Sequence, residues 1–183
     1  MSPAVAAAIG ALTIVSCSNN LMRTGAMEYS SLYDPYLVRY AMRTGEIRAV
    51  VRGNPFGPGP VDADAIAGAF YLPVWVGPAH VTAHPRPDTP SNNKIVLLFG
   101  PHARGPGGDE TCATPETQPV EDGSGPIRLQ ATFCVGARWV STLVAAGPGA
   151  KSANDPAFRA LMTQVGYDLF PPFSQKRWPF DDD

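Results

Sequence analysis

Three kinds of hydrophobic pattern succeed one another along this chain. From Ala4 to Cys17 every residue is apolar or small, and none is charged. From Glu46 to Gly53 (EIRAVVRG) the pattern alternates, with Ile47, Ala49 and Val51 on one side and Arg48 and Arg52 on the other. Successive strand side chains point to opposite faces, so this alternation predicts a half-buried strand. Val50 interrupts the polar side, which predicts that this side is partly covered. Lys94–Gly100 (KIVLLFG) is a short continuous apolar run. It predicts a central strand covered on both faces. Ile127–Val135 and Arg138–Ala145 flank Gly136-Ala137, which predicts a hairpin closed by a two-residue turn of the II′ type. A further short strand is expected over Val81–His84.

The helical period occurs in three places. Asp34-Pro35 opens the first, because an aspartate accepts from the free amides of a helix start and proline suits the first helical position. Leu37, Tyr40 and Ala41 then fall at helical spacing, and Gly45 suits the end, giving a helix over 35–44. Asp62 and Asp64 open the second, whose apolar face is Ala65, Ile66, Ala69, Phe70 and Leu72 and which Pro73 ends. Asp155-Pro156 repeats the first device. Phe158, Leu161, Met162, Val165 and Leu169 then predict a helix over 156–168 docked on a sheet, stopped by Pro171-Pro172.

The segments between these elements are rich in Gly, Pro and polar residues: Asn54–Pro60, Pro85–Asn93 and the long stretch Pro101–Pro126, which holds Cys112. A loop of that length is usually functional or disordered. Residues 17–33 are polar and small and read as a tether. Residues 171–183 read as a tail, with Phe173, Trp178 and Phe180 expected to staple it to the body and Asp181 to Asp183 in solvent. The expectation is one domain over 34–170, of α+β class, with an antiparallel or mixed sheet of four or five strands packed against two or three helices.

Composition narrows the function classes. The 183 residues carry a net charge of −2, which offers no electrostatic ground for binding nucleic acid. The 18 glycines and 20 prolines cluster in a few segments, so stiff loops should join well-defined elements. No internal repeat and no second long apolar run is present.

The first apolar run closes on Ile14-Val15-Ser16-Cys17, and this resembles a bacterial lipobox. The resemblance implies cleavage before Cys17, with residues 1–16 as signal peptide, and a diacylglyceryl group on the Cys17 thiol. The run has the length of a signal h-region and is shorter than the ~20 residues a membrane span needs. It departs from the pattern in one respect: Met1-Ser2-Pro3 carries no Lys or Arg. The competing reading of these residues is a hydrophobic N-terminal helix with Cys17 buried or idle. The chain has three cysteines. With Cys17 acylated, Cys112 and Cys134 remain as an even pair, and an oxidising envelope favours their disulfide. The resemblance further implies the periplasmic face of a bacterial membrane. The outer membrane is favoured, because no Asp follows Cys17. The domain's style, with GNPFG after a strand and Phe133-Cys134 before a turn, is similar to uncharacterised proteobacterial lipoproteins.

Candidate chemistry is sparse. His80 and His84 would share a metal on a helix, but Pro78 and Pro85 bracket them, so the segment reads as extended. Four strand residues span ~13 Å, too far for one zinc with ~2 Å bonds. No nucleophile elbow, phosphate-binding glycine loop or calcium loop occurs, so neither a catalytic residue nor a cofactor is assigned. One surface is plausible from the pattern: if the strands ending at Arg52 and Phe99 are parallel neighbours, Asn54, Phe56, His102 and Arg104 meet at one edge. The expected function is a non-enzymatic envelope protein that binds or scaffolds an envelope partner. The alternatives are a carrier of a small apolar ligand and a hydrolase using His84 or His102.

Overall fold

Both expected aspartate caps form, and Asp62, expected to complement a helix dipole, caps its helix as well. In the computed structural model, which describes residues 22–100, 108–121, 123 and 125–173, Asp34 Oδ1 accepts from the amide of Tyr36 at 2.7 Å. Asp62 and Asp155 do the same for Ala65 and Ala157. The helices they start are α1 (Pro35–Ala41), α2 (Ala63–Gly68) and α4 (Pro156–Leu169). α2 ends earlier than Pro73, and a 3-10 turn, Val74–Val76, follows it. A fourth short helix, α3 (Asp109–Ala113), stands in the stretch expected to be loop.

The strands are β1 (Arg23–Tyr29), β2 (Glu46–Arg52), β3 (His80–Thr82), β4 (Asn93–Phe99), β5 (Ile127–Val135) and β6 (Arg138–Gly147). They form one six-stranded mixed sheet in the order β1-β6-β5-β4-β2-β3. β3, β2 and β4 run parallel, while β5, β6 and β1 are antiparallel to their neighbours. The α+β class therefore holds, with one strand and one helix more than expected. The extra strand is β1. Residues 23–29, assigned to the tether, pair with β6, and the Tyr29 hydroxyl donates to the carbonyl of Asp168 on α4. The fold thus includes part of the segment read as tether.

The sheet separates two apolar layers. Ile47 and Ala49 of β2, Ile95 and Leu97 of β4, and Leu129 and Phe133 of β5 face the helices. There they meet the α4 stripe of Phe158, Leu161, Met162, Val165 and Leu169, all fully buried. The opposite face carries Val50, Val96, Leu98 and Cys134, covered by Cys112 and Val120 of the segment holding α3. β4 is therefore buried on both faces, and Val50 sits under the cover that its place on the polar side suggested. The Cys112–Cys134 disulfide, with Cα atoms 5.6 Å apart, fastens that cover to β5. At the hairpin, Val135 pairs with Arg138. Gly136 has φ 64° and Ala137 does not have positive φ, as a II′ turn requires.

Candidate functional site

β2 and β4 are parallel neighbours, with Arg52 opposite Leu98, so the loops after them start side by side. The approach is close. A Cβ on Gly53 would lie 2.4 Å from the Phe99 carbonyl oxygen, and one on Gly100 would lie 2.1 Å from that of Glu121. Both glycines have positive φ, 75° and 61°, which side-chain-bearing residues rarely adopt. Beside them is a cleft of about 270 Å³ lined by Asn54, Pro55, Gly100, Glu121, Ile127 and Arg128 among others.

Two of the four residues expected to meet here, Asn54 and Phe56, are described. Asn54 is buried; its Oδ1 accepts from the amide of Phe56 and its Nδ2 donates to the carbonyl of Gly59, so it shapes the turn. Phe56 packs against the core, its ring centroid 5.0 Å from that of Phe158. Asn54 is thus buried and Phe56 half-buried against the core. His102, Arg104 and Cys17 lie outside the described residues.

His80 and His84 each meet a carboxylate. His84 Nδ1 lies 2.8 Å from Asp64 Oδ2, at the surface. His80 Nε2 lies 3.4 Å from Glu46 Oε1. Glu46 is the hub of that corner. Its carboxylate also accepts from the Arg86 amide and the Thr89 hydroxyl, and pairs with Arg86 Nε at 3.1 Å. The Arg86 amide, more than any other contact, holds this carboxyl below the usual range; burial opposes it, and the Thr89 hydroxyl and Arg86 charge add to it. These bonds tie the crossover between β3 and β4 to the start of β2. Among the described residues no group of three or more His, Cys, Asp or Glu could hold a metal ion. No described helix is long and apolar enough to cross a membrane.

The largest of these features lies on α1. Val38, Ala41 and Met42 turn inward, and Tyr40, expected among the apolar positions, turns out. Tyr36, Tyr40 and Arg43 recur at i, i+4 and i+7 and make an outward ridge. Tyr36 is 76% exposed and Tyr40 52%. The Arg43 guanidinium lies over the Tyr40 ring, 4.1 Å from its centroid, and donates to the Tyr40 carbonyl. Between this ridge and the backbone at Val76, Gly77 and Pro78 is an open groove of about 670 Å³. Arg39 and Arg43 give its lining positive charge, and among the described residues no Asp or Glu lines it. Beside it, Val74 is almost wholly exposed. The signal was present in the sequence as a second stripe on α1, offset from the buried one. Comparison of the chain with protein-family models, with curated proteins and with solved structures found no match.

Proposed function

We propose that this chain is a membrane-tethered, non-enzymatic binding or scaffold protein of the bacterial envelope, held through lipid on Cys17. In this reading it meets an envelope partner through the α1 groove. The observation that carries it is the exposed ridge of Tyr36 and Tyr40 beside Arg39 and Arg43. Tyrosine and arginine concentrate binding energy at protein interfaces. A tyrosine ring offers a large contact area for few rotatable bonds, and a guanidinium stacks and donates at once. Stacking of Arg43 on Tyr40 orders both side chains before a partner arrives, which lowers the entropy cost of association. Support for the compartment comes from the buried Cys112–Cys134 bond, since such bonds persist in oxidising surroundings. Support for the anchor is the lipobox-like run ending at Cys17. The periplasmic face of the outer membrane is the location this reading favours.

A photo-crosslinking residue placed at position 36 or 40 in native membranes tests the partner surface. The expected result is a discrete protein adduct that Arg39→Glu with Arg43→Glu abolishes. Position 151, an exposed site in the loop before α4, should give none. Adducts at 36 and 40 no stronger than at 151 would overturn the groove as the binding face.

A further inference from the structure

The alternation along β2 leaves two arginines on one side, and neither belongs to the α1 groove. Glu46, Arg48, Val50 and Arg52 share the sheet face that carries Val96, Leu98 and Cys134, turned away from α1 and α4. Lys94 of β4 lies on the same face, in register with Arg48 as Val96 is with Val50. Neighbouring strands are ~4.8 Å apart, so the two cationic residues stand side by side, where like charges repel. Arg48, Arg52 and Lys94 are all half-buried. Among the described residues, no carboxylate forms an ion pair or hydrogen bond with any of the three. Glu46, on that face, is engaged by Arg86, Thr89 and His80. On the covering segment Asp109 pairs with Arg138, while Glu110 and Glu116 are exposed. Arg52 Nε is buried and has no hydrogen-bond partner.

This face therefore holds more charged donors than acceptors. Two adjacent cations without a counter-charge cost stability, and a bound oxyanion between them removes that cost. Two neighbouring unit charges match a dianion better than a monoanion, which favours a phosphate group over a single carboxylate. A guanidinium fork binds two phosphate oxygens at once, and an ammonium adds a compact point charge. We propose that Arg48 and Lys94 form a binding site for a phosphate group, either free or on a lipid headgroup. Arg52 stands ~13 Å further along β2 and so lies outside that site. Its unmet Nε is a second sign that this face lacks acceptors. The site is on the other side of the sheet from the α1 groove, so the two readings stand or fall separately.

Calorimetric titration of the full chain with two probes tests the site: inorganic pyrophosphate and a water-soluble short-chain phosphatidic acid. The native chain is compared with Arg48→Gln plus Lys94→Gln, and with Lys151→Gln plus Arg159→Gln. The second pair removes the same charge from exposed positions at the α4 end of the fold. The site predicts that Kd rises at least about tenfold in the first pair, the scale of one lost charge-assisted hydrogen bond, and stays near the native value in the second. Pyrophosphate should raise the urea midpoint of the native chain and leave that of the first pair unmoved, since only a protein that binds is stabilised. Lys94→Gln alone should weaken binding in the same direction, which keeps the test decisive if the double variant fails to fold. Similar affinity for both probes would assign the phosphate group itself; a tighter grip on phosphatidic acid, lost in the first pair, would assign a lipid headgroup. Both results support the site. Equal weakening in the two pairs would assign the effect to overall charge and overturn it. So would a native chain that binds neither probe.

Discussion

Replacing Cys112 and Cys134 together by alanine should cost a large part of the native stability, and the structure says where the loss begins. The bond closes a loop of 22 residues. In the chain-entropy treatment this corresponds to about 3 kcal/mol. At its near end the covering segment has few other ties: the exposed Arg138–Asp109 ion pair, worth ~0–1 kcal/mol, and the bond from the Trp139 amide to Asp109. Its far end is better held, by the Glu121 amide on the Gly100 carbonyl and the Gly123 amide on Asn54. Without the disulfide the α3 end should therefore open first and uncover Val96 and Leu98. Against a typical total of ~5–15 kcal/mol the loss is severe, and it converts to a fall in Tm of about 6–12 °C. Calorimetry of the double variant, and of the native chain with and without reductant, separates the bond from the change in side-chain volume. Hydrogen exchange at the Thr114 amide, bonded to the Glu110 carbonyl at 3.0 Å, reports the local opening. A fall below about 2 °C with Thr114 still protected would refute the reasoning.

Three further substitutions probe other parts of the fold. Gly100→Ala forces a Cβ to within 2.1 Å of the Glu121 carbonyl oxygen at positive φ, and should destabilise by about 1–3 kcal/mol. Gly68→Ala at the end of α2 meets nothing within 4 Å and should stabilise by about 0.5–1 kcal/mol; opposite shifts in the urea midpoint check the pair. Glu46 has a folded pKa lowered below its ordinary 4.5, so its stabilisation is present above that value and is lost as pH falls through the lowered one. Glu46→Gln should therefore melt earlier than the native chain at neutral pH and converge with it in acid; a constant gap at every pH would contradict this.

Much of the fold could be read directly from local pattern. Asp34, Asp62 and Asp155 cap helices because capping chemistry depends only on nearby amides. β4 reads as central because burial on both faces leaves no polar position between Ile95 and Phe99. β1 was hidden for the opposite reason. It is an edge strand, paired on one side, with an irregularity between Thr24 and Met27 that breaks the alternation. Its inward side chains, Thr24 and Tyr29, are polar and find partners on α4 through hydrogen bonds. α3 was hidden because its place depends on a distant residue, Cys134. At the candidate sites, the parallel neighbours β2 and β4 were correctly imagined, but not the inward turn of Asn54 and Phe56. A loop's side-chain directions follow from tertiary packing against Phe158, which no local spacing encodes. Tyr40 misled for a related reason: an aromatic at helical spacing fits either face until the neighbouring element is in place.

The proposed tether on Cys17 underlies the rest of the functional reading, and intact mass spectrometry of the chain extracted from its native membranes tests it most directly. The expected species begins at Cys17, carries two or three acyl chains on that residue, and lacks two hydrogens because Cys112 and Cys134 are joined. A species beginning at Met1 with an unmodified Cys17 thiol would contradict the tether and, with it, the envelope location.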